Sequence, residues 1–342
     1  MKVVIVTGGA GYIGSHTCKA LSESGFLPVV VDNMSSGHEW AVQWGPLERG
    51  DIRDSAFLDS VFQRWAPHAV VHFAGLIQVG ESVSKPDIYY DNNVVGTLEL
   101  LGAMRRNAVK RIVFSSTCAI FGLPETSPLD EHLPKNPINP YGASKAMVEQ
   151  LLADHAKAFG LHAAALRYFN ASGADPSGRI GEAHEPESHL IPIAIEVAQK
   201  RRAALQIYGD DYPTPDGTCV RDYIHVSDLA QAHLRALDWL ESHSGFHAFN
   251  LGNGKGYSVN EVVKAVERVS GCEVPVIMSK RRDGDSPALV ANSRQAQEIL
   301  GWTPRIASLD DIVASAWNWH QQEKPPVAAP TANIRRMASA TY

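Results

Sequence analysis

Residues Val3 to Gly14 read Val-Val-Ile-Val-Thr-Gly-Gly-Ala-Gly-Tyr-Ile-Gly. A β-branched apolar run that breaks at glycines predicts a buried strand, a tight turn and the start of a helix. Gly8, Gly11 and Gly14 satisfy Gly-x-x-Gly-x-x-Gly, with Tyr12 and Ile13 between the last two. Such a loop turns sharply, lets backbone approach a pyrophosphate, and presents N–H groups at a helix start. The motif alone is weak, and its context carries the reading. A second apolar run, Phe26–Val31, ends at Asp32, about eighteen residues beyond Gly14, where a carboxylate can accept hydrogen bonds from adenosine ribose hydroxyls. A carboxylate there repels a 2′-phosphate, so NAD is favoured over NADP. The competing reading, a glycine turn with a capping Asp and no ligand, fits the strand–loop–helix–strand–Asp order less well. Asp51, in Gly50-Asp51-Ile52, is either an adenine contact or a turn cap.

Further along, Ala69–Phe73, Arg111–Ser115, Ala163–Tyr168 and Phe246–Leu251 also read as strands buried on both faces. His16–Ser24, Phe57–Trp65, Tyr90–Arg105 and Lys145–Phe159 carry helical spacing between them. Alternating strand and helix predicts an α/β fold, a doubly wound parallel Rossmann-type sheet with a smaller C-terminal substrate-binding lobe. The expected division is a dinucleotide-binding domain over 1–170, rejoined by about 220–252, a second lobe over 171–323, and a flexible tail over 324–342.

The 342 residues carry 31 Lys plus Arg against 37 Asp plus Glu, a net charge of −6. That balance argues against nucleic-acid or anionic-membrane binding as the main task. No apolar stretch approaches the roughly 18 residues of a membrane span, and the apolar start breaks at glycines before a signal peptide could form. Cys18, Cys118, Cys219 and Cys272 form no Cys-x-x-Cys pair, which fits reduced thiols in the cytoplasm. His16, His72, His225 and the other histidines show no His-Glu-x-x-His or similar spacing, so no metal is expected.

Tyr141-Gly142-Ala143-Ser144-Lys145 sets a phenol and an ammonium four residues apart, on one face of a helix. Asn139-Pro140 before them is a helix-start signal, with Asn as cap. A lysine charge and a cationic nicotinamide beside the phenol lower its pKa from about 10 toward neutrality and make it a usable base. Upstream, Arg111–Thr117 ends in hydroxyls, at the strand end where open α/β sheets bind ligands. Thr117 is placed to hydrogen-bond a substrate hydroxyl. An exposed Tyr/Lys pair is the bland alternative, and the glycine loop and Asp32 argue against it.

With these motifs in hand, the chain resembles the extended short-chain dehydrogenase/reductase superfamily and, within it, the UDP-glucose 4-epimerases. The resemblance runs from about Met1 to Trp319. It rests on Thr7–His16, Val31–Asn33, Gly50–Arg53, His72–Leu76, Val79–Val83, Tyr89–Asn93, Ser115–Ala119, Asn139–Gly142, Arg167–Asn170, Asp211–Thr218, Val220–Val226 and Arg281–Asp285. It implies that Tyr141 takes the proton of a sugar 4-hydroxyl while C4 passes hydride to tightly held NAD, with Thr117 and Lys145 assisting. The resulting 4-keto sugar turns over and regains the hydride on its other face. It implies cofactor contacts from Gly8, Gly11, Tyr12, Ile13, Gly14, Asp32, Asn33, Asp51, Ile52, Phe73, Ala74, Gly75, Asn92 and Phe169, with Tyr141 and Lys145. For a UDP-sugar it implies Thr117, Asn170, His189, Leu190, Arg221, Tyr223, Arg282, Asp285 and Leu289. Arg221 and Arg282 match diphosphate-binding arginines, for which guanidinium forks are suited.

Four positions depart from the pattern. Ile77 stands where many members have a phosphate-holding lysine, His189 where an asparagine is common, and Thr117 where serine is common. Leu289 occupies a position whose bulk resembles a gate on N-acetylated sugars, which leaves N-acetylhexosamines and the pentoses xylose and arabinose as alternative substrates. A nucleotide-sugar dehydratase or decarboxylase is disfavoured, because Cys118-Ala119 follow Thr117 where those families place an acid. A net oxidoreductase that releases NADH is the other enzymatic rival, and a non-catalytic NAD-binding regulator fits poorly with an intact Tyr141/Lys145 pair. Val94, Leu98, Leu101, Val148, Leu151 and Leu152 recur at helical spacing and read as core. The resemblance implies that exposed parts of those helices pair two subunits as a four-helix bundle.

Overall fold

The computed structural model describes residues 1–282 and 284–322. The expected tail over 324–342 lies outside the described residues. Six strands build most of the main sheet: β1 Val3–Thr7, β2 Leu27–Asp32, β3 Leu47–Arg49, β4 Ala69–His72, β5 Arg111–Thr117 and β6 His162–Tyr168. A seventh, Gly245–Leu251, lies beside β6. The order is Gly245–Leu251, β6, β5, β4, β1, β2, β3, with every pairing parallel. The chain reverses direction across the sheet between β1 and β4, and an open α/β sheet forms its crevice at that point.

Burial on both faces explains the continuous apolar runs. In β1, Val4 and Val6 join one core with Leu21, Leu229 and Leu237, while Ile5 joins the opposite core with Leu58, Phe62 and Leu100. Alternate residues of a strand face opposite sides, so a strand covered on both must be apolar throughout. Each fully buried side chain of this size contributes about 1.5–3 kcal/mol relative to exposure.

The helices α1 Tyr12–Glu23, α2 Ser55–Trp65, α3 Val79–Ser84, α4 Pro86–Tyr89, α5 Gly96–Arg106 and α6 Pro140–Phe159 flank this sheet. The helix expected over Tyr90–Arg105 is a π-helical turn, Tyr90–Val95, running into α5. Its cause is polar and local. The buried Asn93 turns inward to other segments, and its carbonyl accepts the Thr97 hydroxyl at 2.6 Å. Such turns mark places where a side chain competes with the helical ladder. Of the residues read as core on these helices, Leu101, Val148 and Leu152 are buried, whereas Leu98 is exposed.

A small sheet centres on Val220–His225. Asn170–Ser172 pairs in parallel with its later half, Gly256–Ser258 pairs antiparallel with its first half, and Ala288–Leu289 pairs in parallel there. Helices Leu190–Ala198, Val259–Ser270 and Leu309–His320 enclose a third core around Ile195, Val262 and Ile312. No described helix is long and apolar enough to cross a membrane, and all four cysteines are free thiols.

Candidate functional site

The carboxyl ends of β1, β2, β4 and β5 converge on one rim, and the glycine loop leaves it first. Gly8 has φ +70, and a Cβ there would lie 2.6 Å from the Ala74 nitrogen. A Cβ on Gly14 would lie 2.2 Å from the Gly8 carbonyl oxygen. Only glycine closes this turn and brings α1 so near it. α2 and α6 begin under side-chain caps, Asp54 and Asn139, whereas α1 begins at Gly11 with no side-chain cap and no acid in its first turn. Its first N–H groups and the positive end of the helix therefore face the crevice, a ready anion cradle. Ile13 packs back onto the core, and the Tyr12 hydroxyl donates to the Gly173 carbonyl at 2.6 Å.

Asp32 ends β2, buried, and accepts N–H bonds from Ala10 and Met34 at 3.0 and 2.8 Å. Burial pushes its carboxyl up, and these two bonds pull against that shift. Asn33 donates to Asp51 at 3.0 Å. Arg53 clasps the same carboxylate at 2.8 Å and Asp91 at 2.5 Å, so its hydrogen bond holds Asp51 well below the usual carboxylate range. Ile52 lies buried beneath Gly96 of α5, where a Cβ would come within 2.7 Å of its side chain.

On the other side of the crevice, Phe73, Ala74 and Gly75 continue β4. The Ala74 N–H donates to the Thr7 carbonyl at 3.1 Å, and the Phe73 ring lies 4.7 Å from that of His233. A Cβ on Gly75 would sit 3.3 Å from both Asn93 Oδ1 and Lys145 Nζ. Asn93 holds this loop to α6: it accepts from the Leu76 N–H at 2.8 Å and donates to Ser144 Oγ at 3.0 Å. The sequence reading singled out its neighbour Asn92, which donates to Asn93 Oδ1 at 3.0 Å. The doubled Asn was visible in the sequence, but which of the pair turns inward depends on the π-helical turn.

Asn139 caps α6 by accepting the Gly142 N–H at 2.9 Å. That start sets Tyr141 in the first turn and Lys145 one turn on, beside the end of β5. Lys145 Nζ donates to the Ser115 carbonyl at 2.9 Å and lies 4.9 Å from the centre of the Phe114 ring. Burial lowers its pKa to about 8. Tyr141 is pushed up to about 12 by burial, against a hydrogen bond from Thr117. The lowering expected for Tyr141 is thus not supplied by the protein's own groups: the ammonium spends its hydrogen bond on a carbonyl, and desolvation dominates. Thr117, buried at the end of β5, also accepts the Ala119 N–H at 3.1 Å. His72 is a satisfied core histidine, bonded to Thr7 at 2.6 Å and Thr97 at 2.9 Å and kept neutral by burial.

The small sheet gathers four of the predicted sugar-nucleotide residues. Asn170 is in register with Tyr223, and Arg221 with Leu289. Asn170 donates to the Asp222 carbonyl at 2.9 Å, and Arg221 donates to the Ser286 carbonyl at 2.8 Å and faces Asp285 at 3.4 Å. Phe169 packs with Ile120 and Phe121 between the two sheets. Arg282 is exposed, its guanidinium 3.7 Å over the Tyr208 ring. His189 immediately precedes Leu190–Ala198 without a side-chain capping bond, and Leu190 lies against the third core. There the fold brings together Glu182, His184, Glu187 and His189, a cluster that the sequence reading missed. Its signal was the repeated Glu-x-His spacing, which matches none of the metal motifs sought.

Residues 4–252 match the model of the NAD dependent epimerase/dehydratase family. The chain belongs to that family. A UDP-glucose 4-epimerase of Rhizobium leguminosarum bv. trifolii is 54% identical over 319 residues, 93% of this chain and 97% of that one. Among solved structures, the Brucella ovis UDP-glucose 4-epimerase in complex with NAD superposes with TM-score 0.90 at 50% identity, covering 93% of this chain and 99% of that one. The Stenotrophomonas maltophila UDP-glucose-4-epimerase, with bound NAD and formylated UDP-arabinopyranose, gives TM-score 0.91 at 41% identity, over 94% and 98%. As in an NAD dependent epimerase, the donors here fit a dinucleotide: a glycine cradle that a Cβ would fill, an uncapped helix start, and a carboxylate at the end of β2.

Proposed function

We propose that the protein interconverts UDP-galactose and UDP-glucose by transient oxidation at sugar C4, with no net change of redox state. The single observation that carries this reading is the grouping of Thr117, Tyr141 and Lys145 at the end of β5, with Lys145 Nζ against Gly75 of the loop that packs on Gly8. Gly8, Gly11 and Gly14 receive the pyrophosphate of NAD, Asp32 the adenosine ribose, and Lys145 with the Phe73–Gly75 loop borders the nicotinamide side. When bound, NAD would supply a reversible hydride acceptor for C4.

The chain's own residues do the remainder. Tyr141 takes the 4-hydroxyl proton and gives it back, Thr117 holds that hydroxyl, and the Lys145 charge offsets the cost of burying a phenolate. Arg221 and Arg282 grip the diphosphate while Asn170, His189, Leu190, Tyr223, Asp285 and Leu289 line the nucleotide-sugar site. An anchor remote from C4 lets the sugar turn over without leaving. In this reading 1–170 with about 220–252 holds the cofactor, and 171–323 holds the substrate. We further propose a cytoplasmic homodimer, supported by exposed Val83, Val95 and Leu98 along α3 to α5 and Met147 on α6.

Purified protein incubated with UDP-galactose and no added NAD tests the reading, with UDP-glucose followed by NMR. An equilibrium mixture without net NADH is expected. Silence that persists after NAD is added overturns the reading. The same assay with UDP-N-acetylglucosamine and UDP-arabinose addresses the second reading, a 4-epimerase of other UDP-sugars, which the ligand of the S. maltophila enzyme favours.

A further inference from the structure

We propose that Glu182, His184, Glu187 and His189 form a binding site for a divalent cation of the zinc class. One nitrogen of each imidazole and one oxygen of each carboxylate all lie within 4.8 Å of one another. His184 Nδ1 is 3.1 Å from Glu182 Oε1 and 3.8 Å from Glu187 Oε1, and His189 Nδ1 is 3.7 Å from Glu187 Oε1. His189 Nδ1 also pairs closely with Glu182 Oε1. A tetrahedral zinc with bonds of about 2.0–2.2 Å spaces its ligand atoms roughly 3.3–3.6 Å apart. The measured edges straddle that spacing, so small side-chain rotations close the four donors around one ion. Two imidazoles and two carboxylates are a borderline nitrogen and oxygen set, suited to zinc and its neighbours rather than to calcium or magnesium.

A second observation points the same way. Despite its short distance to Glu182, His184 Nδ1 is out of hydrogen-bond alignment, a buried nitrogen with no hydrogen-bond partner among the described residues. The surrounding shell is already ordered. Glu187 Oε1 accepts the N–H groups of Ser188 and His189 at 2.8 and 2.9 Å, which fixes its carboxylate. The Glu182 carbonyl accepts the Trp319 indole N–H at 2.8 Å, and the His184 ring meets Tyr12 edge-on at 6.2 Å. Such outer contacts orient ligands before an ion arrives. The Glu182 and Glu187 side chains are 4% and 5% exposed and that of His189 is 46% exposed, so the cage is closed beneath and open on one side for entry. A bound ion would staple the 182–189 segment between the start of α1 and helix Leu190–Ala198. The inference shares His189 with the proposed nucleotide-sugar site, but it rests on the geometry of the cluster itself.

The full-length protein, stripped with a chelator and dialysed, is titrated with Zn2+ by calorimetry, and Co2+ is added separately to read its visible absorption. One ion per chain is expected, bound at micromolar or tighter affinity, with Co2+ absorption of tetrahedral strength. His184→Gln and, separately, the exposed His189→Gln should each weaken Zn2+ binding about 100-fold and abolish the Co2+ band. Thermal midpoint and bound NAD content establish that each variant is folded. The absence of saturable uptake by the parent, or affinity unchanged in the folded variants, overturns the proposal and leaves the cluster as an ion-paired network.

Discussion

Two buried charges sit one turn apart on the same helix and are treated in opposite ways. Lys145, on the first turns of α6, has among the described residues the Ser115 carbonyl as its one hydrogen-bond acceptor, and burial lowers its pKa to about 8. Glu149, four residues on and fully buried, receives Arg167 at 2.8 and 2.9 Å, Lys135 at 2.6 Å and Ser116 at 2.6 Å. Burial alone would raise its pKa, but the Arg167 guanidinium outweighs it and holds the carboxyl low. A charge matched on every side is structural, whereas a charge left short of partners is ready to move a proton or favour a neighbouring anion. Successive turns of α6 therefore separate machinery from scaffold.

That contrast can be broken by experiment. The largest effect is expected at the poised end: Tyr141→Phe should cut turnover about 10³-fold or more, with NAD content and melting unchanged, as read by NMR assay and absorbance. A near-normal rate removes Tyr141 as the base. Next, Glu149→Gln should lower unfolding free energy by about 3–5 kcal/mol, because Arg167 is left buried and unmatched. Urea titration reads this, and a loss below about 1 kcal/mol would make Glu149 no more than a surface-type pair.

The pH dependence sharpens the contrast further, because the two groups act in separate pH windows. Lys145 binds its proton less tightly folded than unfolded, so the unfolded chain holds the extra proton between about pH 8 and 10.5. Stability should therefore gain up to about 3 kcal/mol across that window, a gain absent in Lys145→Met. Tyr141, raised to about 12, acts against it only above pH 10. Glu149 has the same sign in a lower window: its contribution is present above about pH 4.5 and lost as pH falls through its lowered folded pKa. Midpoints of urea unfolding against pH, parent minus variant, distinguish the two. The smallest effect is at the helix start, where Asn139→Ala should cost about 1 kcal/mol through the lost cap, without moving the pH profile.

Much of the site was legible because it is contiguous. The glycine loop, Asp32 eighteen residues past Gly14, Asn139-Pro140 and Tyr141 to Lys145 each place chemistry by local turn or helix geometry, and the structure has each on its expected element. Other features depend on segments far apart in the chain. Asn93 rather than Asn92 turns inward because the helix loosens there and Ser144 comes near. The rise of Tyr141 to about 12 is a desolvation effect, and a spacing of four residues says nothing about solvent. Arg281 and Arg282 are neighbours in the sequence, yet one binds Asp211 at 2.5 Å and the other stacks on Tyr208.

By itself the sequence determined the alternation of elements, the dinucleotide cradle and the phenol and ammonium on one helical face. These follow from steric and periodic rules that act over a few residues. Tertiary structure alone decided which charges are matched, which are stranded by burial, and that two carboxylates and two imidazoles converge between α1 and Leu190–Ala198. Desolvation and long-range pairing depend on what the rest of the chain packs around a group, and no local pattern encodes that.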